Sequence, residues 1–349
     1  MNIKSLLLGS AAALVAVSGA RAADAVVVAE PEPVEYVRVC DVYGAGFFYI
    51  PGTENCLQIG GYVRYQMNYN NLDWTETDVG PHSYRFWKLA RFAPTFDVRS
   101  ETEWGTLRAF AEVEFDWNSY TWSARDVGTG AAQSTNLNHA FIELTGAGTL
   151  RLGKGDTPYA RFLGYGNQFG PFVGSYGFRN SGEVSYTFHG GNGFSAVIAA
   201  IESSTGLFEP AVEVGARISQ GWGTVGAMVA YDTPANAWSA KGVARVKMDA
   251  FSAGVHVFYS NAANAYTVGN SELSVLGHAR VDLSNTFAVA ASVQWFDRDL
   301  ATSGGTADRF QYTGAIDWRP VAGLRIRPEV SYTTGTKAVE AAIRFDRSF

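Results

Sequence analysis

Cysteine is nearly absent from this 349-residue chain: Cys40 and Cys56 are the only two, in neither a CxxC pair nor a zinc spacing. Charge is also scarce, at 17% of residues against roughly 25% in soluble domains. With 27 basic and 33 acidic side chains, the net charge of −6 argues against a nucleic-acid partner. No apolar run approaches the roughly 20 residues that a spanning helix needs. Five histidines occur without a serine elbow, a phosphate loop or a metal spacing, so neither catalysis nor a cofactor is expected. What remains is 47% hydrophobic, with 38 glycines and 14% aromatics, which excludes disorder and favours strands and tight turns over helices.

The first segment reads as an export signal. Lys4 precedes an apolar core from Leu6 to Val17, and Ala20-Arg21-Ala22 supplies the small-x-small cleavage pattern, so residues 1–22 are assigned to a signal peptide. Residues 23–56 follow as a periplasmic leader and cysteine-closed loop, with Glu30, Pro31, Glu32, Pro33 and Glu35 spoiling any core pattern. Export to an oxidising compartment favours a Cys40–Cys56 disulfide over the alternative of two buried thiols.

From Leu57 onward the residues alternate. Leu57, Ile59, Val63, Tyr65, Met67 and Tyr69 share one row, and Gln58, Tyr62, Arg64, Gln66 and Asn68 the other. The same pattern recurs at residues 91–99, 107–117, 238–248, 273–283, 309–318 and 324–332. Over these seven segments the polar rows carry eighteen charged side chains and the apolar rows none. An ordinary half-buried sheet would tolerate a snorkelling lysine in its apolar row. Hydrocarbon would not, because Arg or Lys facing lipid at the bilayer midplane costs roughly 2–4 kcal/mol.

Aromatic spacing points the same way. Phe251 and Tyr259, Phe287 and Trp295, and Phe310 and Trp318 each share a row at a separation of eight residues. Eight residues of tilted strand rise roughly 20 Å, close to the roughly 25 Å apolar band of a membrane barrel, so these rings read as two interfacial girdles. Connections alternate between seven short turns and eight longer loops, which predicts sixteen strands from residue 57 to 349. The expected fold is all-β: a 16-stranded antiparallel transmembrane β-barrel. Pro94 and Pro328 fall inside predicted strands, and a local irregularity is expected at each.

Several stretches carry a resemblance that spans nearly the whole chain. They are Met1-Asn2-Ile3-Lys4-Ser5-Leu6, Val37-Arg38-Val39-Cys40-Asp41 through Cys56-Leu57, Gly61-Tyr62-Val63-Arg64-Tyr65, Ser185-Tyr186-Thr187-Phe188 with Gly190-Gly191-Asn192-Gly193-Phe194, Pro328-Glu329-Val330-Ser331-Tyr332, and the terminal Arg347-Ser348-Phe349. In these the chain resembles the Brucella-type general porins of rhizobial alphaproteobacteria. The resemblance implies a homotrimer in the lipopolysaccharide-bearing bacterial outer membrane, passing small hydrophilic solutes and ions by passive diffusion. It also implies a third outer loop folded inward as a constriction. The C-terminal Phe349 looks like the strand signal read by the barrel-assembly machinery. The rival expectation is a substrate-specific channel with a saturable solute site.

Residues 155–180 form the longest connection and carry Tyr159, Phe162, Leu163, Tyr165, Phe169, Phe172, Tyr176 and Phe178, a composition suited to packing on an inner wall. Wall charges are expected opposite: Arg64, Arg91, Arg99, Arg108 and Arg151 as an arginine ladder, with Glu112, Glu114 and Asp116 as wall acids. The loop contributes Asp156, Arg161 and Arg179. With a single acid in the loop, weak selectivity leaning toward anions is expected.

Overall fold

Rows of β-branched and aromatic residues alternating with polar ones form strands because each row can face a different medium. The computed structural model describes residues 38–71, 86–119, 133–166, 174–203, 205, 207–297, 300 and 308–349. The signal peptide, most of the leader, His82, Phe169 and Phe172 lie outside them.

A two-residue arm, β1 (Phe48–Tyr49), precedes the barrel strands β2 (Cys56–Asn70), β3 (Phe86–Thr102), β4 (Gly105–Asn118), β5 (Gln133–Thr145) and β6 (Gly148–Asp156). A short helical turn, α1 (Pro158–Arg161), opens the next loop. It is followed by β7 (Asn180–His189), β8 (Phe194–Ile201), β9 (Ala211–Gln220), β10 (Gly223–Asp232) and β11 (Ala237–Met248). The series ends with β12 (Phe251–Ser260), β13 (Leu273–Asp282), β14 (Phe287–Phe296), β15 (Arg309–Val321), β16 (Leu324–Thr333) and β17 (Ala338–Ser348). Every consecutive pair from β2 to β17 is antiparallel, and β17 returns to β2 from Glu340↔Asn70 to Ser348↔Tyr62. The result is a closed sixteen-stranded barrel, as expected, and closure leaves no sheet edge.

The apolar row is the exposed one. Ile59, Val63, Ile198, Val214, Val229 and Val255 stand on the outside, while Gln66, Asn68, Glu183, Ser185, His256 and Gln294 on the alternate row are buried. This inverts the pattern of a water-soluble protein and matches a wall with lipid outside and water within. The predicted girdles line up across strands: Phe287 pairs with Trp318 at one end of the β14–β15 ladder and Trp295 with Phe310 at the other.

Both prolines interrupt pairing as anticipated. The β3–β4 ladder passes from Phe92↔Phe115 to Thr95↔Glu112 without pairs at Ala93 and Pro94. The β15–β16 ladder skips from Ala315↔Glu329 to Trp318↔Ile326, over Pro328. In each case the register is retained beyond the gap; the register shift in β15–β16 falls between Trp318 and Val321, where Pro320 sits. Gly61, at φ +139°, faces Pro94, and an added Cβ there would fall on the Ala93 carbonyl.

Three boundaries differ from the sequence reading. Strand β5 begins at Gln133, inside the stretch 118–136 whose polar composition reads as a long loop, β3 begins at Phe86 and so brings exposed Lys88 onto the apolar row, and β15 continues through Arg319 to Val321. A register shift between Glu112 and Val113 places an extra residue, Asn138, in β5. The arm is stapled by the Cys40–Cys56 disulfide, around which Phe47, Tyr43 and Tyr49 pack. Cys56 itself opens β2, so the closed loop is continuous with the barrel.

Candidate functional site

Alternation sends every second side chain of β2–β7 inward, and the pleat sets the inward residues of adjacent strands beside one another. Oppositely charged neighbours therefore meet across the ladders. Asp97 on β3 accepts from its row-mate Arg99 at 3.0 and 2.8 Å and from Arg108 on β4 at 3.0 and 2.9 Å. Arg108 reaches on to Glu143 of β5 at 2.8 Å. Glu143 lies 3.6 Å from Arg151 of β6, which pairs with Glu183 of β7 at 2.7 Å. Glu183 also takes Arg161 from the loop at 3.0 Å. One unbroken chain of ion pairs thus crosses five strands and ends on the loop. Aromatic rings flank it: Arg99 stacks on Phe47, Arg108 on Phe110 and Arg151 on Phe141.

Two further groups stand apart from this chain, one on β3–β4 and one at the β17–β2 closure seam. Arg91 holds Asp116 in a fork at 2.7 and 2.7 Å and also bonds Glu114. Asp346 of β17 accepts from Arg64 at 2.7 Å and from Arg327.

The described residues of the loop between β6 and β7, 157–166 and 174–179, lie against the inner side of the wall. Tyr159, Phe162 and Leu163 are buried against inward residues of β8, β10 and β11, including Val197, Met228 and Val243. Here the inner row is apolar, which is unusual for a wetted surface and explained by the loop that covers it. Two polar contacts fix the backbone of α1: the Tyr159 N–H donates to Glu213 of β9 at 2.6 Å, and Lys241 of β11 donates to the Tyr159 carbonyl. Farther along, Gln294 accepts from the Ser175 N–H and donates to its carbonyl, both at 2.7 Å. Tyr165 donates to Asp156 at 2.5 Å. Burial, then that hydrogen bond, pushes its phenol up from the ordinary range. Burial and the Asp156 charge raise Tyr176 to about 12.

The described residues hold no group of His, Cys, Asp and Glu placed for a metal. The arrangement is a polar, ion-paired lining around a passage, with a packed loop beside it. A family model for the porin subfamily matches residues 24–346. The chain belongs to this porin family. Porin Omp2b of Brucella neotomae is 41% identical over 382 residues, covering all of both chains, and porin Omp2a of Brucella ovis is 40% identical, covering 95% of this chain and 99% of its own. Among solved structures, a mutant of the Rh. blastica porin superposes with a TM-score of 0.59 at 16% identity, over 84% of this chain and 100% of that one. The outer membrane channel DcaP of Acinetobacter baumannii gives 0.62 at 14% identity, over 86% and 99%. These last two support the fold. Membership makes the protein a general porin of the outer membrane, a channel rather than an enzyme family.

In this porin the residues named from the sequence separate into two sets. Arg64, Arg91, Arg99, Arg108, Arg151 and Arg161 are brought to carboxylates, as are Glu114 and Asp116 from the acid side. Glu112 instead accepts from Asn138 at 2.8 Å. Asp156 takes hydrogen bonds from Tyr165 and Asn180, and its side chain does not complete the arginine ladder. Arg179 instead donates to the Glu202 carbonyl at 2.8 Å and stacks over the buried Tyr266 ring. Sequence reasoning passed over Glu143, Glu183 and Asp346, the acids that knit the ladder, and the Glu213–Lys241 pair. Their strand parity is the signal that would have found them, since each stands on an inward row.

Proposed function

We propose that this porin is a passive, water-filled channel for small hydrophilic solutes and ions, with no chemical step, narrowed by residues 155–180 against a wall formed by Arg64, Arg91, Arg99, Arg108 and Arg151. The observation that carries the reading is the burial of Tyr159, Phe162 and Leu163 against the inward row of β8–β11. Because acids on adjacent strands engage most of these arginines, the wall is close to electrically balanced, which favours weak ion selectivity. The export pattern at Ala20-Arg21-Ala22 supports cleavage after Ala22 and delivery to the outer membrane. A terminal aromatic, Phe349, on a strand of alternating apolar residues supports handling by the barrel-assembly machinery. The broad apolar exterior supports a lipid bilayer around the barrel, and membership of the porin family supports a homotrimer in a lipopolysaccharide-bearing membrane.

Planar bilayers test this. Insertions should give large, ohmic conductance steps that close in thirds, and a salt gradient should give a reversal potential of only a few millivolts. N-terminal sequencing of outer-membrane protein should begin at Ala23. Purification as a detergent-free monomer that leaves liposomes sealed would overturn the reading.

A further inference from the structure

Toward the short turns, the inner wall holds a cavity of about 620 Å³. Tyr165 and Gly166 of the loop bound it on one side. Five cationic side chains line the rest: Arg245 and Lys247 from β11, Arg280 from β13, Arg319 from β15 and Arg325 from β16. Only one lining residue is acidic, Asp282, and one further carboxylate, Asp317, stands beside it.

The bookkeeping of charge is unlike that of the β2–β7 wall. There, carboxylates alternate with arginines along the chain of ion pairs. Here, Asp317 alone is shared by Arg280 at 2.8 Å, Arg319 at 3.0 Å and Arg325 at 2.6 Å. Asp282 pairs with Arg280, which Asp317 already contacts. Among the described residues neither Arg245 nor Lys247 forms an ion pair. The guanidinium of Arg245 occupies the space that a Cβ at Gly164 would need, on the loop side of the cavity. His278, also in the lining, keeps a buried Nε2 without a hydrogen-bond partner. Five positive charges against two negative ones, partly withdrawn from water, repel one another unless an anion joins them. A forked guanidinium and a point-charge ammonium left without acceptors are the groups that bind oxyanions best.

We propose that this cavity is a binding subsite for a small multivalent oxyanion, with inorganic phosphate as the simplest case. The subsite deepens the porin reading and rests on it: an anion that has passed the loop is held briefly before release on the short-turn side. A cavity of this size holds phosphate together with several waters, at roughly 30 Å³ per water.

Single-channel recording at low, constant ionic strength and pH 7.5, with phosphate replacing chloride, separates the possibilities. The expected result is a conductance that falls with phosphate along a saturating curve. Lys247→Gln should move the half-saturation concentration upward by at least fivefold, and adding Arg245→Gln should abolish saturation. Heat-modifiable gel migration shows that each variant has assembled, and the solvent-exposed Lys247 is a site where substitution leaves packing intact. A linear dependence on phosphate in the unaltered porin, or saturation that survives both substitutions, would overturn the subsite. Failure to see any conductance steps would strike the porin reading itself and is distinguishable from either.

Discussion

Asp97 and Arg108 meet fork to fork across the β3–β4 ladder, Oδ1 to Nε at 3.0 Å and Oδ2 to Nη2 at 2.9 Å. The same two oxygens take Arg99, so one carboxylate balances two guanidiniums. Asp97→Asn should cost about 2 kcal/mol, in the range of charged hydrogen bonds, visible as a lower urea midpoint in detergent. It also leaves the wall one charge more positive. The reversal potential in a salt gradient should therefore shift toward the anion side.

The Cys40–Cys56 staple closes a loop with a sequence separation of 16. Reduction, or Cys40→Ser, should remove roughly 3 kcal/mol of restraint on the arm by the chain-entropy model. Because β1 contributes only two residues of pairing, the effect should be local. Limited proteolysis should cut near residue 40 only after reduction, while single-channel conductance stays the same.

Leu163 of the β6–β7 loop is fully buried against the inner wall. Leu163→Ala should destabilise the seated loop by about 2–5 kcal/mol. Expected in bilayers are noisier openings with a larger mean conductance. Quiet channels of unaltered size would show that the loop does not bear on the passage.

Tyr176 should titrate late, near 12, because its surroundings favour the neutral phenol. A raised value means stability that is intact below the ordinary tyrosine range near 10 and is lost as pH climbs from there toward 12. Absorbance at 295 nm should resolve late-ionising tyrosines, one fewer in Tyr176→Phe. No change in loop attachment is expected from this group below pH 9.

Ile198 stands at the middle of β8 with its side chain outward. Ile198→Arg should cost roughly 2–4 kcal/mol against lipid. Folding yield into thin-bilayer vesicles, scored by heat-modifiable migration, should drop sharply. Val197→Arg faces the loop instead, and should be read from conductance rather than insertion.

Most of the barrel was legible because parity survives folding: if Ile59 faces lipid, Arg64 cannot. What escaped notice lies where the medium stops constraining sequence. Strand β3 runs for 17 residues, which at about 3.3 Å each and a tilt near 40° rises about 43 Å, far beyond a roughly 25 Å apolar band. Its outer end stands in water, so Lys88 costs nothing on the apolar row, and polar Gln133–Asn136 on β5 read as loop. Asn138 was hidden for another reason. A bulge adds a residue without altering composition, and from there back toward Gln133 the row assignment is displaced by one. Among the charges, arginines were easy to nominate, whereas their acids depend on cross-strand register, which two distant segments such as Arg64 and Asp346 do not reveal locally.

The seam between β17 and β2 joins the last strand made to the first, and the Phe349 N–H reaches the Gly61 carbonyl at 3.1 Å. Nothing short of the full-length polypeptide can therefore hide its unpaired backbone from lipid. A nascent chain lacking its final ten residues is an open ribbon with two adhesive borders, obliged to wait under escort or to stick to its neighbours.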